Sequence, residues 1–244
     1  MKKNKLDIII PVFNEGAGII STIDALQTEI KTPFQILICY DLEDDTTLAA
    51  LRAKQITNTN IIFVKNEFIG AHGAVITGFN ISEADFILVM PADDNYNAPK
   101  IDLMVGIAEC GADIVCASRF IDGGCMKDCP LLKATLVRSA AFSLYWLGGL
   151  PVRDATNGLR LFSRRVIKEI EIESTKGFSY SLELLAKCHR LKWKIEEIPA
   201  FWYERTYGKS KFKVLKWLPA YLRWYFYVFL TTWLRRGGNT VKMK

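Results

Sequence analysis

Two adjacent carboxylates and an amide follow the apolar run 86–90 of this chain. They are Asp93, Asp94 and Asn95. So short an apolar run predicts a buried strand of a parallel sheet, and ligands gather at the carboxyl ends of such strands. Carboxylate and amide oxygens placed there suit a hard divalent cation together with a phosphorylated substrate. The alternative is that Asp93 and Asp94 only form the loop and cap the next helix.

Three other predicted strands also end in groups that could bind a nucleotide. The first ends in Pro11-Val12-Phe13 and passes through Asn14 and Glu15 straight into a helix, which places free backbone N–H groups where a phosphate could bind. Asn14 could equally be only the cap of that helix. Asp41 follows the second strand, where it could accept hydrogen bonds from a base or ribose, or cap the next helix. Gly70 follows the third strand and would let a ligand approach the backbone closely.

Two loops in the second half of the chain combine charge with hydrogen-bonding groups. The first runs from Asp154 to Arg160 and contains an acid, two polar side chains and a base. The second runs from Glu204 to Lys211 and is cationic, with hydroxyl groups and a glycine. Arginine as a planar fork and lysine as a point charge together suit a phosphate. The alternative for the second loop is a solvated surface segment.

These motifs, in this order, resemble the family-2 inverting glycosyltransferases of GT-A fold. The resemblance is to the dolichyl-phosphate mannose synthase-like, polyprenyl-phosphate glycosyltransferases, and it runs from about Leu6 to Phe212. The loop Arg205-x-Tyr207-Gly208-x-Ser210-Lys211 points to the subgroup with a lipid-phosphate acceptor. The other motifs are Val12-Phe13-Asn14-Glu15, Asp41 with Asp45-x-Thr47, Ala92-Asp93-Asp94, Ala117-Ser118-Arg119-Phe120 and Asp154-x-Thr156-Asn157-Gly158-x-Arg160.

The resemblance implies transfer of a sugar from a nucleotide-diphosphate sugar to a polyprenyl phosphate (dolichyl or undecaprenyl), with Mg²⁺ or Mn²⁺ as cofactor. The acceptor phosphate is already anionic, so positioning and charge neutralisation matter more than a strong base. Asp154 would orient the reacting groups or act as a weak base, and Arg205 would be the second catalytic residue.

The resemblance also implies roles for individual side chains. The metal ligands would be Asp93 and Asn95, with Asp94 as a possible substitute. The nucleotide sugar would contact Pro11, Asn14, Glu15, Asp41, Gly70, Ala92 and Asp93. The acceptor phosphate would contact Arg119, Arg138, Ser139, Arg205, Ser210 and Lys211.

The chain departs from the family pattern in three places. Pro91 stands where the family has the first carboxylate of Asp-x-Asp, and 40–43 read Tyr-Asp-Leu-Glu instead of Asp-Asp-Gly-Ser. The usual pair of C-terminal membrane spans is absent. These departures leave open which side chains bind the metal and which nucleobase the donor carries. The sequence also does not indicate the sugar, the length of the lipid or the oligomeric state.

The pattern of strands and helices predicts an α/β fold that can position these groups. Apolar periodicity predicts a β-α-β-α succession, and therefore a mostly parallel, doubly wound (Rossmann-like) sheet. The predicted strands are 6–13, 34–40, 60–65, 85–90, 112–118, 158–163 and 193–203, and the predicted helices 16–30, 45–54, 71–81, 132–150, 180–190, 214–234 and one from Pro99. The 244 residues suit one large α/β domain or two small ones. With the resemblance, we expect one GT-A domain, 1–212, and a C-terminal amphipathic helical extension, 213–244.

The extension combines aromatic residues with basic ones. The uncharged run 224–234 is too short for a membrane span, which needs about 20 apolar residues. Rings flanked by arginine and lysine suit the membrane interface. The alternative is a helix packed on the sheet. The chain has a net charge of +6, and its basic segments at 209–216 and 235–244 could bind anionic lipid, a phosphate or nucleic acid. The resemblance favours a membrane surface among these partners, and we expect no binding of nucleic acid.

The cysteines and the N-terminal residues indicate in which cellular compartment the protein works. Six cysteines form no Cys-x-x-Cys pair, and two histidines make a zinc site improbable. The N-terminus has no apolar signal-peptide core. We expect peripheral attachment at the cytoplasmic face of a membrane. Two other hypotheses stay open. One is a GT-A transferase that acts on a glycan hydroxyl in cell-surface polysaccharide synthesis, which needs an Asp or Glu side chain as general base. The other is a binding protein that lost its metal site, and only Pro91 supports it.

Overall fold

The computed structural model describes residues 4–54, 60–204 and 214–244, with the backbone alone for 214–216. Strands and helices alternate in the first half, as expected. The strands are β1 Leu6–Val12, β2 Phe34–Tyr40, β3 Ile61–Lys65, β4 Phe86–Val89, β5 Ile114–Ser118, β6 Cys125–Lys127, β7 Arg160–Ser163, β8 Ile195–Pro199 and β9 Phe201–Tyr203. The helices are α1 Ile19–Glu29, α2 Thr46–Ala53, α3 Gly70–Ile81, α4 Ile101–Glu109, α5 Leu131–Phe142, α6 Arg164–Glu169, α7 Ser179–Leu191 and α8 Val214–Trp233.

Seven strands of the described residues form one sheet in the order β3-β2-β1-β4-β7-β5-β8. Neighbours in it are parallel, except that β7 is antiparallel to β4 and β5. In β1, Ile8 and Ile10 pack into one core layer and Ile9 into the other, and all three are fully buried. Helices therefore cover both faces of the sheet. The prediction of a mostly parallel, doubly wound α/β fold is confirmed.

The predicted strand 193–203 is instead two strands that belong to different sheets. The chain changes partner at Ala200, whose N–H donates to the Ser118 carbonyl (2.8 Å) and whose carbonyl accepts from Cys125 N–H (3.0 Å). After Ala200 the chain continues as β9, which pairs with β6 in a small parallel sheet. The pattern of residues 193–203 could not show this change, because it depends on β6, a strand distant in sequence.

The predicted helix 132–150 ends earlier than its apolar pattern indicated. α5 stops at Phe142 and continues as a π-helical turn, Ser143–Leu147. The turn closes where Gly148 N–H donates to the Ser143 carbonyl (2.8 Å). A Cβ on Gly148 would lie 2.6 Å from the Leu144 carbonyl oxygen, so only glycine fits this close turn.

The C-terminal helix α8 packs on α7 with one face and exposes the other. Trp224 and Val228 are buried in the same core layer as α7. The Trp224 indole N–H donates to Ser174 Oγ (2.8 Å), and Arg190 of α7 donates to the Tyr227 carbonyl (2.9 Å). The sequence allowed either a helix at the membrane interface or a helix packed on the domain, and the structure shows α8 packed on the domain. Across the described part of the chain, we find no helix with the length and apolarity that a membrane crossing requires.

A buried ion network joins α7 to the C-terminal segment. Lys187 is fully buried, and its Nζ contacts Glu183 (2.8 Å), Glu173 (2.9 Å) and the Glu171 carbonyl (2.6 Å). Arg223 of α8 pairs with the same Glu173 (2.8 Å). Each buried charge in this network has a partner, and Arg223 connects α8 to it.

Candidate active site

The sheet order brings the ends of three parallel strands to one edge. β1 lies between β2 and β4, with Val12 opposite Tyr40 and Ile9 opposite Val89. The chain winds from β1 outward to β3 and then crosses to β4 on the other side, so the crevice beyond β1 and β4 is the usual ligand-binding position of such a sheet. The residues that follow these strands therefore share one edge.

Asn14 links the end of β1 to the start of α2. Its backbone has a positive φ of 54°, a conformation that asparagine tolerates better than most residues. Its N–H donates to Asp45 Oδ2 (2.9 Å), and its Oδ1 accepts from Thr46 N–H (3.1 Å). Glu15 N–H donates to Thr47 Oγ1 (3.0 Å). Asn14 thus contacts the N-terminus of α2, not of the helix that follows it, and the Asp45-x-Thr47 motif holds the β1 loop.

Asp41 links the end of β2 to the start of α3. Its Oδ1 accepts from Asn66 Nδ2 (2.6 Å) and its Oδ2 from Gly70 N–H (3.0 Å). Gly70 has a φ of +82°, which explains the glycine. The structure therefore brings together Asp41 and Gly70, both predicted to contact the nucleotide. Sequence reasoning missed Asn66, whose signal was only a polar residue directly after β3.

The loop after β4 presents its three polar residues differently. Buried Thr22 of α1 donates to the Ala92 carbonyl (2.8 Å) and fixes the loop. Asp93 is exposed at the edge. Asp94 turns inward, where its Oδ1 accepts from Asn97 Nδ2 (2.7 Å). Burial raises the pKa of Asp94 to about 7, and the charge of Asp93 adds to this, while hydrogen bonds from Asn97 oppose it. Asp94 is therefore bound within the protein.

Asp93 and Asn95 fit a divalent cation as partial ligands. A carboxylate and an amide oxygen are the hard donors that Mg²⁺ and Mn²⁺ accept, and such ions commonly take their other ligands from substrate phosphates and water. Within the described ranges, no three His, Cys, Asp or Glu side chains gather as a metal site. The diphosphate of a donor would have to complete the coordination. Pro91 supplies no side-chain oxygen, and its ring lies beside Gly158, where an added Cβ would be 4.0 Å from it.

Asp154 is fully buried and bound to Arg119 through two parallel contacts. Arg119 Nε donates to Asp154 Oδ2 (2.7 Å) and Arg119 Nη2 to Oδ1 (2.9 Å). Asp154 also accepts from Arg119 N–H (3.0 Å) and from the N–H and Oγ1 of Thr156 (3.1 and 2.9 Å). Burial pushes the pKa of Asp154 upward, but the hydrogen bonds and charge of Arg119 outweigh it and leave the pKa below its ordinary value.

This geometry favours an orienting role for Asp154 over that of a base. A buried carboxylate with a lowered pKa takes up a proton poorly. Its interactions instead fix the Arg119 guanidinium, whose Nη2 also donates to Thr156 Oγ1 (2.7 Å). The remaining nitrogen, Nη1, faces only the weak acceptor Met126 Sδ at 3.9 Å among its described contacts. Nη1 is therefore the part of Arg119 best able to bind an anion.

Arg160, the base of the same motif, lies opposite Val89, the last residue of β4, but its side chain turns into the core. It is fully buried at the start of β7, where its Nη1 donates to the Ser181 carbonyl (2.6 Å) and its Nη2 to the Ala155 carbonyl (3.1 Å). It connects the Asp154 loop to α7. Its buried partners, Ser181 of α7 and Ala155, are not revealed by the local sequence.

The predicted acceptor residues other than Arg119 fall into two groups. Arg138 and Ser139 are exposed on α5. Arg205, Ser210 and Lys211 lie outside the described residues. Lys133 of α5 donates to Glu204 (2.9 Å) and lies 4.6 Å from the centre of the Trp202 ring. This contact attaches α5 to the point where the segment beginning at 205 leaves β9.

We expect the Asp154–Arg119 pair to stabilise the fold in a pH-dependent way. Because the folded pKa of Asp154 lies below its unfolded value near 4, the contribution is complete above about pH 4 and is lost as the pH falls through the folded pKa. Asp154→Asn should lower the free energy of unfolding by about 3–5 kcal/mol at pH 7. Urea denaturation between pH 7 and pH 3 measures this.

The difference from the unsubstituted protein should shrink below about pH 4. The exposed Asp122 provides a matched control, since Asp122→Asn should change the free energy by no more than about 0.5 kcal/mol. A difference for Asp154→Asn that stays constant over the whole pH range would contradict the assignment.

Solved structures show where this fold occurs. Glucosyl-3-phosphoglycerate synthase from Mycobacterium tuberculosis, in complex with Mn²⁺, UDP and glucosyl-3-phosphoglycerate, superimposes with a TM-score of 0.67 at 16% identity, over 93% of this chain and 79% of that one. Its complex with Mg²⁺ and UDP gives a TM-score of 0.64 at 18% identity, over 93% and 79%. At this identity the likeness shows the fold alone, and it confirms the GT-A expectation.

Similar sequences include lipid-phosphate mannosyltransferases. Polyprenol monophosphomannose synthase from Mycolicibacterium smegmatis is 24% identical over 86% of this chain and 85% of its own length. Undecaprenyl-phosphate mannosyltransferase from Micrococcus luteus is 27% identical over 83% and 85%. Dolichol-phosphate mannosyltransferase from Pyrococcus furiosus is 25% identical over 86% of this chain but 59% of its own length. The sequence model named Glycosyl transferase family 2 matches residues 7–171, more than half of the chain. This protein therefore belongs to glycosyl transferase family 2 and is a glycosyltransferase.

Proposed function

We propose that this glycosyltransferase moves a sugar from a nucleotide-diphosphate sugar to the phosphate of a polyprenyl lipid. The observation that carries the proposal is the Asp154–Arg119 pair. The Asp154 carboxylate is bound to Arg119 and is not free to act as the general base that a hydroxyl acceptor would need, whereas the Arg119 guanidinium could bind an anionic acceptor. A phosphate oxygen is already anionic near neutral pH and needs no base. The names of the similar mannosyltransferases support the same acceptor class.

In the proposed reaction, an oxygen of the acceptor phosphate attacks the anomeric carbon of the sugar. The new carbon–oxygen bond forms as the bond to the nucleoside diphosphate breaks, with inversion at the carbon. Asp93 and Asn95 would hold a Mg²⁺ or Mn²⁺ ion, which when bound neutralises charge on the leaving diphosphate. Arg119 Nη1, with Arg138, Arg205 and Lys211, neutralises and orients the acceptor phosphate. Ser139 and Ser210 add hydrogen bonds to the same phosphate.

A glycan hydroxyl acceptor is the alternative, and one carboxyl group favours it. Glu197 of β8 accepts from Arg153 N–H (2.9 Å), and burial raises its pKa, to which the nearby Asp154 charge also contributes. A raised pKa suits a general base. A substitution of Glu197 therefore distinguishes a hydroxyl acceptor from a phosphate acceptor, since transfer to a phosphate does not require this carboxyl group.

The surface that would meet the membrane is formed by α5, the π-helical turn and α8. Tyr225 Oη donates to Ser143 Oγ (2.8 Å), and the Trp233 indole N–H donates to the Leu147 carbonyl (2.9 Å), so these segments are joined. We call their exposed apolar side chains the apolar face. It comprises Leu131, Leu132, Leu136, Phe142, Trp146, Leu147, Leu218, Leu222, Phe226, Leu230, Trp233 and Leu234.

A membrane is the occupant we propose for the apolar face. The acceptor has a lipid tail, and Arg138 of the predicted phosphate site lies on α5 among these apolar residues. Exposed indole rings suit the headgroup region, and the basic segment 235–244 suits anionic lipid. The chain would then lie peripherally on the cytoplasmic leaflet, with α8 between the sheet and the lipid. The division into a domain, 1–212, and an extension, 213–244, is retained as part of this proposal.

Transfer should produce a lipid-linked sugar phosphate. We expect undecaprenyl or dolichyl phosphate, incubated with a panel of nucleotide sugars and Mg²⁺ or Mn²⁺, to yield a product found by mass spectrometry. Arg205→Ala should lower the turnover rate about 10²–10³-fold and leave donor affinity unchanged, because it removes only acceptor neutralisation.

Two variants are the controls for this assay. Lys209→Ala removes a charge from the same segment but not from the motif, and should have little effect. Glu197→Gln should also leave transfer unchanged. Loss of transfer in Glu197→Gln, or no lipid product from any donor, would contradict the proposed acceptor.

Vesicle binding should depend on the apolar face. Leu136→Glu combined with Phe226→Glu should reduce co-sedimentation with phosphatidylglycerol vesicles at least tenfold, because each change removes an apolar side chain worth about 1.5–3 kcal/mol when buried. The matched control is Leu103→Glu with Ile81→Glu, two residues of similar exposure on α4 and α3. Equal binding by the two double variants would contradict the assignment.

A further inference from the structure

Asn157 is a buried asparagine whose amide nitrogen has no hydrogen-bond acceptor within the described part of the chain. Only 9% of the residue is exposed. Its Oδ1 accepts from Leu159 N–H (3.1 Å), which fixes the orientation of the amide group. Nδ2 is not one of the fully enclosed unpartnered atoms of the described residues, so open space reaches it. A donor on so buried a side chain is normally paired, and Nδ2 is therefore available to a ligand.

The sheet places Asn157 between the two loops that the proposed function assigns to phosphates. β7 lies between β4 and β5 and runs antiparallel to both. Its amino end therefore meets their carboxyl ends, and Asn157 comes shortly before that amino end. The loop after β4 contains Asp93, and the loop after β5 contains Arg119.

The two neighbours of Asn157 in the chain contact these two loops. On one side, Thr156 Oγ1 accepts from Arg119 Nη2 (2.7 Å). On the other side, Gly158 lies beside Pro91 of the loop after β4, whose ring an added Cβ would approach to 4.0 Å. Asn157 is thus the residue that stands between the cation assigned to the acceptor and the loop assigned to the metal and diphosphate.

The group that lies between the two phosphates in the proposed reaction is the sugar. Its anomeric carbon stands between the attacking oxygen of the acceptor phosphate and the leaving oxygen of the diphosphate. Sugar hydroxyl oxygens accept hydrogen bonds, and an amide N–H is a donor without charge. The inference rests on the proposed function, which places the diphosphate at the loop after β4 and the acceptor phosphate at Arg119.

We propose that Asn157 binds the transferred sugar, with Nδ2 donating a hydrogen bond to one of its hydroxyl oxygens. This contact makes Asn157 a residue that determines specificity for the sugar. A site built to hydrogen-bond a hydroxyl group discriminates strongly against a substrate that lacks it, because the buried polar group is then left unpaired.

Calorimetry with and without the sugar tests this contact. The ligands are UDP-glucose against UDP and GDP-mannose against GDP, each with Mg²⁺, and the comparison uses the pair that the unsubstituted protein binds more tightly. Asn157→Ser retains an oxygen for Leu159 N–H and removes Nδ2. It should weaken binding of the nucleotide sugar about tenfold and leave binding of the nucleoside diphosphate within about twofold. Asn80→Ser, which changes an exposed asparagine of α3, is the control and should alter neither affinity.

Nucleotide sugars that lack one hydroxyl group identify the acceptor of the bond. The unsubstituted protein should bind one of these deoxy donors about tenfold more weakly than the complete donor. Asn157→Ser should bind the two equally within about twofold, because the contact is already absent. If Asn157→Ser does not fold, Asn157→Asp provides the same comparison, since it keeps the shape and the bond to Leu159 but replaces the donor by an acceptor.

Unchanged affinity of Asn157→Ser for the nucleotide sugar would overturn the proposal, because Asn157 would then act only in its turn. An equal loss of affinity for the nucleoside diphosphate would also overturn it, since the contact would then be to a phosphate. The proposed function fails in a different way, by yielding no lipid-linked product from any donor. Calorimetry contains no acceptor, so its result for Asn157 is independent of that failure.

Discussion

The proposed chemistry of this site depends on the buried ion pair between Asp154 and Arg119. Arg119 follows β5 and Asp154 lies before β7, so the pair fixes the loops of two neighbouring strands. It occupies both oxygens of the Asp154 carboxylate and leaves Arg119 Nη1 as the guanidinium nitrogen that could bind an anion. A phosphate acceptor follows from that arrangement more naturally than a hydroxyl does, because a phosphate requires charge neutralisation and not deprotonation.

The donor side of the site depends on hydrogen bonds between loops. Asn14 holds the N-terminus of α2, Asp41 holds the N-terminus of α3, and Thr22 holds the loop after β4. Each bond joins the end of one strand to an element elsewhere in the chain. The candidate residues therefore form a preorganised edge before any ligand is bound, and their own binding capacity is partly used within the protein. Such preorganisation reduces the entropy lost when a ligand binds.

The sequence predicted the parallel half of the fold well, because its signals are local. An apolar run followed by polar residues marks the end of a buried strand, and β1, β2 and β4 all show it. The antiparallel β7 and the change of partner at Ala200 depend on contacts between distant segments, so no window of residues could reveal them. The same reason explains Arg160 and Asp94: burial and partners from other elements determine their roles.

The central claim is that Arg119, fixed by Asp154, neutralises the phosphate of the acceptor. Steady-state kinetics of Arg119→Lys with a short-chain polyprenyl phosphate test it most directly, together with donor affinity from calorimetry. Lysine keeps the charge but cannot form the two parallel contacts with Asp154. We expect kcat/KM for the acceptor to fall about 10²-fold while the donor Kd stays within twofold. An unchanged kcat/KM for the acceptor, or an equal loss of donor affinity, would contradict the account.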